Sequence, residues 1–354
     1  MPGIPPPAPL PSVTVIIPHL KHRPMLERCL DSLSAGGGSV PRVIVADNGG
    51  ESSGTSGLEA AYPGLEVVRL PENRGYAGGC NEGLRRVSSA YVVFMNDDAV
   101  VEPGWLEPLV AEAERDASVG ALQPKILSLK ARRDGRRLFD YAGAAGGMLD
   151  RLGYPWCLGR SFSGIEEDRG QYDEPSDLFW ASGVALFGRT ELFRALGGFE
   201  EGFFMHMEEI DLCWRLRLRG MRIRSVPASV VWHEGGASLG EGSPLKVYYN
   251  HRNALAMFLR NRCMSSLLLL LPLRVFLEPV AALYYLITAG PHGLRCAAQV
   301  LRAGVDNLRG LRRTLRQRKY IQRERVVDDR LLFAGAPWSM FLARVPQPAE
   351  RASQ

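Results

Sequence analysis

The chain has 354 residues, 46% of them hydrophobic and 23% charged, the proportions of a globular protein long enough for one large domain or two ordinary ones. A core of this size folds without disulfides or structural metal. Its six cysteines (Cys29, Cys80, Cys157, Cys213, Cys263, Cys296) are scattered without a CxxC pair, which speaks against a disulfide scaffold or zinc ribbon and for reduced thiols in a cytoplasmic compartment. The net charge of +5 is uneven, because Arg295–Arg330 carries 11 Lys and Arg against 4 Asp and Glu and leaves the rest slightly acidic.

The opening MPGIPPPAPLPS has neither a basic nor an apolar leader region and predicts a Pro-stiffened tail over residues 1–11. Ser12–Pro18 is a β-branched apolar run stopped by proline, the pattern of a buried strand. Pro24–Leu33 has helical spacing, Gly36–Gly38 reads as a turn, and Val43–Ala46 and Leu65–Leu70 as strands. Tyr76–Val87 then reads as a helix and Tyr91–Met95 as a fourth strand. This alternation predicts an α/β fold with a mostly parallel sheet flanked by helices. In such sheets ligands gather at the carboxyl ends of the strands. Residues 130–178 read as a long connection with one hairpin, Gly188–Leu196 and Glu208–Arg219 as helices, and the chain beyond Leu245 as helical.

Four segments carry candidate chemistry. Asn96-Asp97-Asp98 follows the apolar Tyr91–Met95 strand, and two adjacent carboxylates at a sheet mouth suit a divalent cation that bridges a diphosphate. A solvated turn explains the pair about equally well. Pro71–Gly79 opens a helix and offers backbone N–H groups and Arg74 to an anion. It is not GxGxxG, and a plain glycine turn fits it as well. Glu208, Glu209 and Asp211 crowd into four positions, where like charge raises the pKa of a candidate general base. The structural alternative is an acidic first turn answering the helix dipole. His233 follows a strand and is a good ligand type for Mn²⁺, although a lone histidine there is more often structural.

In their order these segments resemble family 2 glycosyltransferases of the GT-A fold. The runs IIPHL, VIVADNGG, PENRGYAGGCNEG and VVFMNDDAVVEPGWL look like the family's nucleotide-binding half. WASGVALFGRTELFRALGGFEEGFFMHMEEIDLCWRLRLRGMRI, VWHEGGAS and YYNHRNALAMFLRN look like the rest. The closest likeness is to the rhamnosyltransferase-like branch. The resemblance covers residues 12–262, the expected GT-A domain. It implies that Pro18, Asp47, Asn73, Arg74 and Asp97 bind the nucleotide and that Asp98 and His233 hold Mn²⁺ or Mg²⁺. It further implies that Glu209 is the base, and that Trp180, Ser182 and Gly183 line the donor and acceptor pocket. The family commonly has Asp where this chain has Glu209, so Glu208 and Asp211 stay open as alternative bases.

The implied activity is an inverting, metal-dependent hexosyl transfer, with rhamnose the first candidate sugar. The donor would be a dTDP- or UDP-sugar and the acceptor a lipid-linked or polysaccharide glycan of the cell surface. An inverting transfer needs one base and a stabilised leaving diphosphate, and no second acid. The competing readings are a non-catalytic sugar-nucleotide-binding scaffold subunit and, more distantly, a nucleotidyltransferase. Residues 263–335 form an apolar then basic region, with Arg274, Glu278, Pro272 and Pro279 interrupting Met264–Gly290. That favours a helix pair lying in the interface at the inner face of the cell membrane over a span. A homo-oligomer interface is the other use of such a region, residues 336–354 read as a tail, and nothing marks the arginines for nucleic acid.

Overall fold

The computed structural model describes residues 12–35, 41–161, 164–235 and 242–340. The expected tail 1–11, the Gly36–Gly38 turn, the end of the VWHEGGAS motif and residues 341–354 lie outside the described residues. The chain begins β1 (Val13–His19), α1 (Arg23–Ala35), β2 (Arg42–Asp47), α2 (Leu58–Ala61), β3 (Leu65–Arg69), α3 (Gly75–Arg86) and β4 (Tyr91–Met95). It continues with β5 (Ala99–Val101), α4 (Leu106–Arg115), β6 (Val119–Ser128) and α5 (Leu129–Arg133). The connection that follows forms two hairpins where one was expected, β7 (Gly146–Leu149) with β8 (Pro155–Leu158) and β9 (Arg160–Ser161) with β10 (Gly164–Ile165). Then come β11 (Asp177–Leu178), β12 (Ala185–Arg189), α6 (Thr190–Ala195), α7 (Glu208–Leu218) and β13 (Arg222–His233). The chain closes with α8 (Pro244–Asn261), α9 (Met264–Thr288), α10 (Gly293–Arg323) and α11 (Asp329–Leu332).

Among the described residues the main sheet has nine strands in the order β11-β13-β6-β12-β4-β1-β2-β3, with β5 paired to β13. The expected parallel block β3-β2-β1-β4 forms. The parallel ladders predominate as expected, and within this mixed sheet β12 runs antiparallel to both β4 and β6. The reason lies in the connection. β6 ends at the same edge as β4, the connection passes back to pair β11 with the start of β13, and the chain then re-enters the sheet beside Met95 at the end of β4, so that β12 runs back. Gly188 and Arg189 therefore belong to β12 rather than to a helix, and a Cβ on Gly188 would come within 2.7 Å of the Gly120 carbonyl on β6. Every residue of β4 is buried. Along β1, Ile16 joins the core under α3, α6 and α7, while Val15 and Ile17 join the core under α1 and α4. This is the period-2 alternation of a strand covered on both faces.

The C-terminal helices pack on α8. Tyr248 of α8 donates to Asp306 of α10 at 2.8 Å, Asn307 to the Arg252 carbonyl at 3.1 Å and Arg318 to the Leu259 carbonyl at 2.7 Å. Residues 336–340 are also tied down, with Arg151 N–H donating to the Pro337 carbonyl at 3.0 Å and Met340 N–H to Asp150 at 2.8 Å. Helix α9 is long and apolar enough to cross a membrane by length and composition, with mean hydropathy 1.8 over its best window. Its charges face inward: Arg274 is 1% exposed, lies over the Tyr154 ring and pairs with Glu278, which meets His251 at 2.6 Å. Leu268, Leu269, Phe276, Leu283, Tyr284 and Ile287 are left facing out.

Candidate active site

The topology gathers the chemistry at one edge. β4 ends in Asn96-Asp97-Asp98, and β12 starts beside it after Ser182-Gly183-Val184, with Asn96 N–H donating to the Val184 carbonyl at 3.1 Å. β13 ends at His233, opposite Ala99 of β5 and Ser128 of β6. Between them opens a cavity of about 430 Å³ lined by Asp98, Asp140, Ser182, Gly183, Glu208, Glu209 and His233. A separate cavity of about 330 Å³ between α7 and α10 contains none of the sequence-predicted site residues.

On one wall His233 Nε2 lies 3.0 Å from Asp98 Oδ1, and its Nδ1 lies 2.9 Å from Asp140 Oδ1. Burial alone would lower the imidazole pKa, but Asp98 and Asp140 outweigh it and push it up to about 10. Burial likewise works to raise Asp98, and His233 overrides it and holds the carboxyl below its ordinary value. A carboxylate on the far ring nitrogen is how metal-bound histidines are oriented. Asp98 and His233 thus form a carboxylate–imidazole donor pair on the cavity wall that suits Mn²⁺ or Mg²⁺. Among the described residues no three acidic, His or Cys side chains converge as a cage. A cation there would need ligands from a diphosphate and water, as Mg²⁺ commonly has.

The two adjacent carboxylates do not share a cation-sized space. Asp97 turns the other way, to His19 Nδ1 at 2.6 Å, and His19 Nε2 reaches the Ser53 carbonyl at 3.0 Å. Each carboxylate has its own histidine, which relieves their repulsion. Asp47 is closed off: it is 0% exposed, and it accepts from Gly49 N–H at 2.9 Å, Ser53 at 2.8 Å and Thr55 at 2.7 Å. A nucleobase reaches it only if the Gly50–Ser53 turn shifts.

The helix-start motif makes internal contacts in this structure. Arg74 pairs with Glu201 and Glu82, Asn73 accepts from Gly75 N–H at 2.8 Å, and Ala77 N–H donates to the Phe204 carbonyl at 3.2 Å. Gly75 has φ +67 and a Cβ there would sit 2.3 Å from that carbonyl, so the turn needs glycine. Pro18 sits one residue before His19 and packs toward Gly79. Trp180 is buried and is not among the residues lining this cavity, its Nε1 donating to the Met148 carbonyl at 2.8 Å. Ser182 and Gly183 do line the cavity, and a Cβ on Gly183 would come 2.9 Å from the Tyr76 hydroxyl.

The opposite wall carries the acidic helix start. Phe204, His206 and Met207 all have positive φ, at 65°, 66° and 70°. Three such non-glycine residues store strain that something must hold. Asn253 of α8 does so, its amide nitrogen 3.0 Å from the Phe203 carbonyl and 2.8 Å from those of Met205 and His206. The turn aims Glu208 and Glu209 into the cavity, where Glu208 Oε2, Glu209 Oε2 and His206 Nε2 have no hydrogen-bond partner among the described residues. Burial pushes Glu209 up to about 7, and burial together with Glu209 pushes Glu208 well above its ordinary value. Asp211 is corrected as a candidate base. It is 0% exposed and points into the core, accepting from Arg215 and Arg260 at 2.7 Å and from Asn261 at 2.8 Å. Burial would raise its pKa, but Arg260 and Arg215 outweigh burial and hold it down.

Sequence reasoning missed Asp140, His19, His206 and Asn253. Asp140 stands in the irregular connection, and His19 and His206 have no neighbouring motif in the sequence that sets them apart from structural histidines. Asn253 falls inside YYNHRNALAMFLRN, where the asparagine mid-helix was the one available signal.

The fold and this site are those of a glycosyltransferase of GT-A architecture. Likeness to solved structures agrees on the fold: GalNAc-T7 with UDP, GalNAc and Mn²⁺ gives a TM-score of 0.54 at 15% identity over 70% of this chain and 48% of that one. Residues 1–349 of S. aureus TarS give 0.50 at 15% identity over 86% and 91%. The sequence model of Glycosyl transferase family 2 matches residues 14–156. The pre-mycofactocin glycosyltransferase of Mycobacterium tuberculosis is 30% identical over 67% of this chain, which spans about half of that protein's length (46%). The N-acetylglucosaminyl-diphospho-decaprenol L-rhamnosyltransferase of the same organism is 29% identical over 68% of this chain and 81% of its own, and the Escherichia coli rhamnosyltransferase WbbL is 27% identical over 61% and 81%. Residues 14–156 of the chain are a glycosyltransferase family 2 segment.

Proposed function

We propose that this enzyme transfers a sugar with inversion, rhamnose being the first to test, from a dTDP- or UDP-sugar to a lipid-linked glycan. The reaction would take place at the cytoplasmic face of a membrane. The observation that carries the reading is one cavity with the Asp98–His233 pair on one wall and the unpartnered Glu208 and Glu209 oxygens on the other. Asp98 and His233 would hold Mn²⁺ or Mg²⁺, which supplies charge neutralisation for a departing diphosphate.

The chain's own part is positioning and proton transfer. Glu209, with its pKa near 7, takes the proton of the acceptor hydroxyl. Glu208, raised well above its ordinary value by burial and by Glu209, lines the same cavity. Asp140 orients His233, and Asn253 fixes the turn that aims Glu209. The rhamnosyltransferase relatives support the sugar and the lipid-linked acceptor, and the outward apolar face of α9 supports an interfacial seat with Arg274 and Glu278 kept inside.

The test is thermal stabilisation by a panel of UDP- and dTDP-sugars with Mn²⁺. Stabilisation by one of them that is lost in Asp98→Ala supports the reading. A fold indifferent to every nucleotide-sugar with either metal would overturn it.

A further inference from the structure

Helix α10 carries a short sequence repeat. Leu-Arg recurs every seven residues, at Leu294-Arg295, Leu301-Arg302, Leu308-Arg309 and Leu315-Arg316, and Arg323 extends the arginine series by one more step. A seven-residue repeat drifts about 20° per step on an α-helix, so each series makes one continuous row. Both rows are exposed, Leu294 at 74% and Leu308 at 73%, while Val300, Ala303, Asn307, Thr314 and Ile321 take the inward side. Among the described residues Arg295, Arg316 and Arg323 form no ion pair. Arg302 and Arg309 share a single carboxylate, Asp306, which also accepts from Tyr248.

A row of leucines in water beside uncompensated arginines fits a partner that is apolar and negative at once. A second copy of the chain does not supply this. α10 holds nine Lys and Arg against one acid, so two such helices side by side repel. A coiled coil also needs two apolar positions per heptad, and the residues four beyond each leucine (Ala298, Val305, Arg312, Lys319) turn cationic along the helix. An anionic lipid surface supplies both properties. Neighbouring residues stand about 100° apart around a helix, so leucines turned into the acyl boundary leave the arginines level with the headgroups. The helix is also placed for such a surface. It shares a buried cluster with α9 (Ala282 with Cys296, Ala297 and Val300), and the exposed Leu286 and Ile287 end α9 where Leu294 begins α10.

We propose that α10 lies on an anionic phospholipid surface, its leucine row in the acyl boundary and its arginine row on the headgroup phosphates. The protein thereby selects membranes by their content of acidic lipid. The inference rests on the interfacial seat proposed for α9 and adds the lipid class that the seat requires; it is independent of the transfer chemistry.

The test is flotation of the full chain with vesicles of phosphatidylcholine alone and of phosphatidylcholine mixed with phosphatidylglycerol. Wild type is expected to bind the mixed vesicles roughly a hundredfold more tightly, an advantage that fades as salt rises past physiological strength. Changing Arg295, Arg302, Arg309, Arg316 and Arg323 together to Gln should abolish the advantage, and changing the same five to Lys should keep it. Urea unfolding at the wild-type midpoint shows that both variants are folded. Wild-type preference that ignores salt, or survives the five glutamines, overturns the proposal. So does a concentration-dependent dimer that the glutamines dissolve, which would assign the row to a second copy, or an oligonucleotide that displaces the protein from mixed vesicles. Equal binding to both vesicles overturns the lipid selectivity and leaves the α9 seat standing. Binding to neither brings down the seat as well, so the two failures are distinguishable.

Discussion

Replacing Glu209 with glutamine should make the protein inactive and, in alkaline buffer, more stable. Burial raises Glu209 from 4.5 to about 7. A carboxyl with a raised folded-state pKa contributes stability that is complete below about pH 4.5. That contribution is lost as pH climbs through 7, because the folded state must then bury a charge the unfolded chain keeps in water. At about 1.4 kcal/mol per pKa unit the full cost near pH 8 is about 3 kcal/mol, and water entering the cavity reduces it to the order of 1–2 kcal/mol. Glu209→Gln keeps the shape and carries no charge, so it recovers that amount at pH 8 and nothing near pH 4.5. The assay is urea unfolding of both proteins at pH 5, 6, 7 and 8. In parallel, nucleoside diphosphate release should rise in wild type with a midpoint about 7 and fall by roughly 10²–10⁴ in the variant. Equal stability at every pH, or a variant with wild-type turnover, would refute the assignment of Glu209 as a buried base.

Asp211→Asn should do the opposite of Glu209→Gln, destabilising at all neutral pH values by about 3–5 kcal/mol, because Arg215 and Arg260 are left buried without their carboxylate; chemical denaturation reads this. Asn253→Ala releases the Phe203, Met205 and His206 carbonyls and should lower kcat roughly tenfold or more with the nucleotide-sugar Kd unchanged. A matching loss of donor affinity would show that the turn serves the donor instead. Substituting Leu269, Phe276 and Ile287 together with Asp should leave turnover on a soluble acceptor intact and remove co-sedimentation with anionic vesicles, and retained sedimentation would contradict the interfacial seat of α9.

How far the sequence could be read follows from what each residue depends on. β1 and β4 were legible because strands buried on both faces are continuous apolar runs, and their ends, with His233 and Asp98, follow from the edge rule. The direction of β12 was not, since it depends on where the long connection after β6 brings the chain back into the sheet. Helical spacing puts Glu208 and Asp211 on one face, yet they part in the fold. The cavity lies at the helix's first residues, whereas α8 covers the next turn with Arg260 and Asn261. Asp140 and His233 come from segments far apart in sequence, and Asp140 from one without periodicity, so only folding brings them to the same cavity.

The most direct test of the central claim is the configuration of the new glycosidic bond, read by NMR from a wild-type reaction with the nucleotide-sugar that stabilises the protein. One base facing one leaving-group site predicts inversion at the anomeric carbon, with no product from Glu209→Gln. Retention of configuration would contradict the account, because it would require a second displacement for which this cavity assigns no residue.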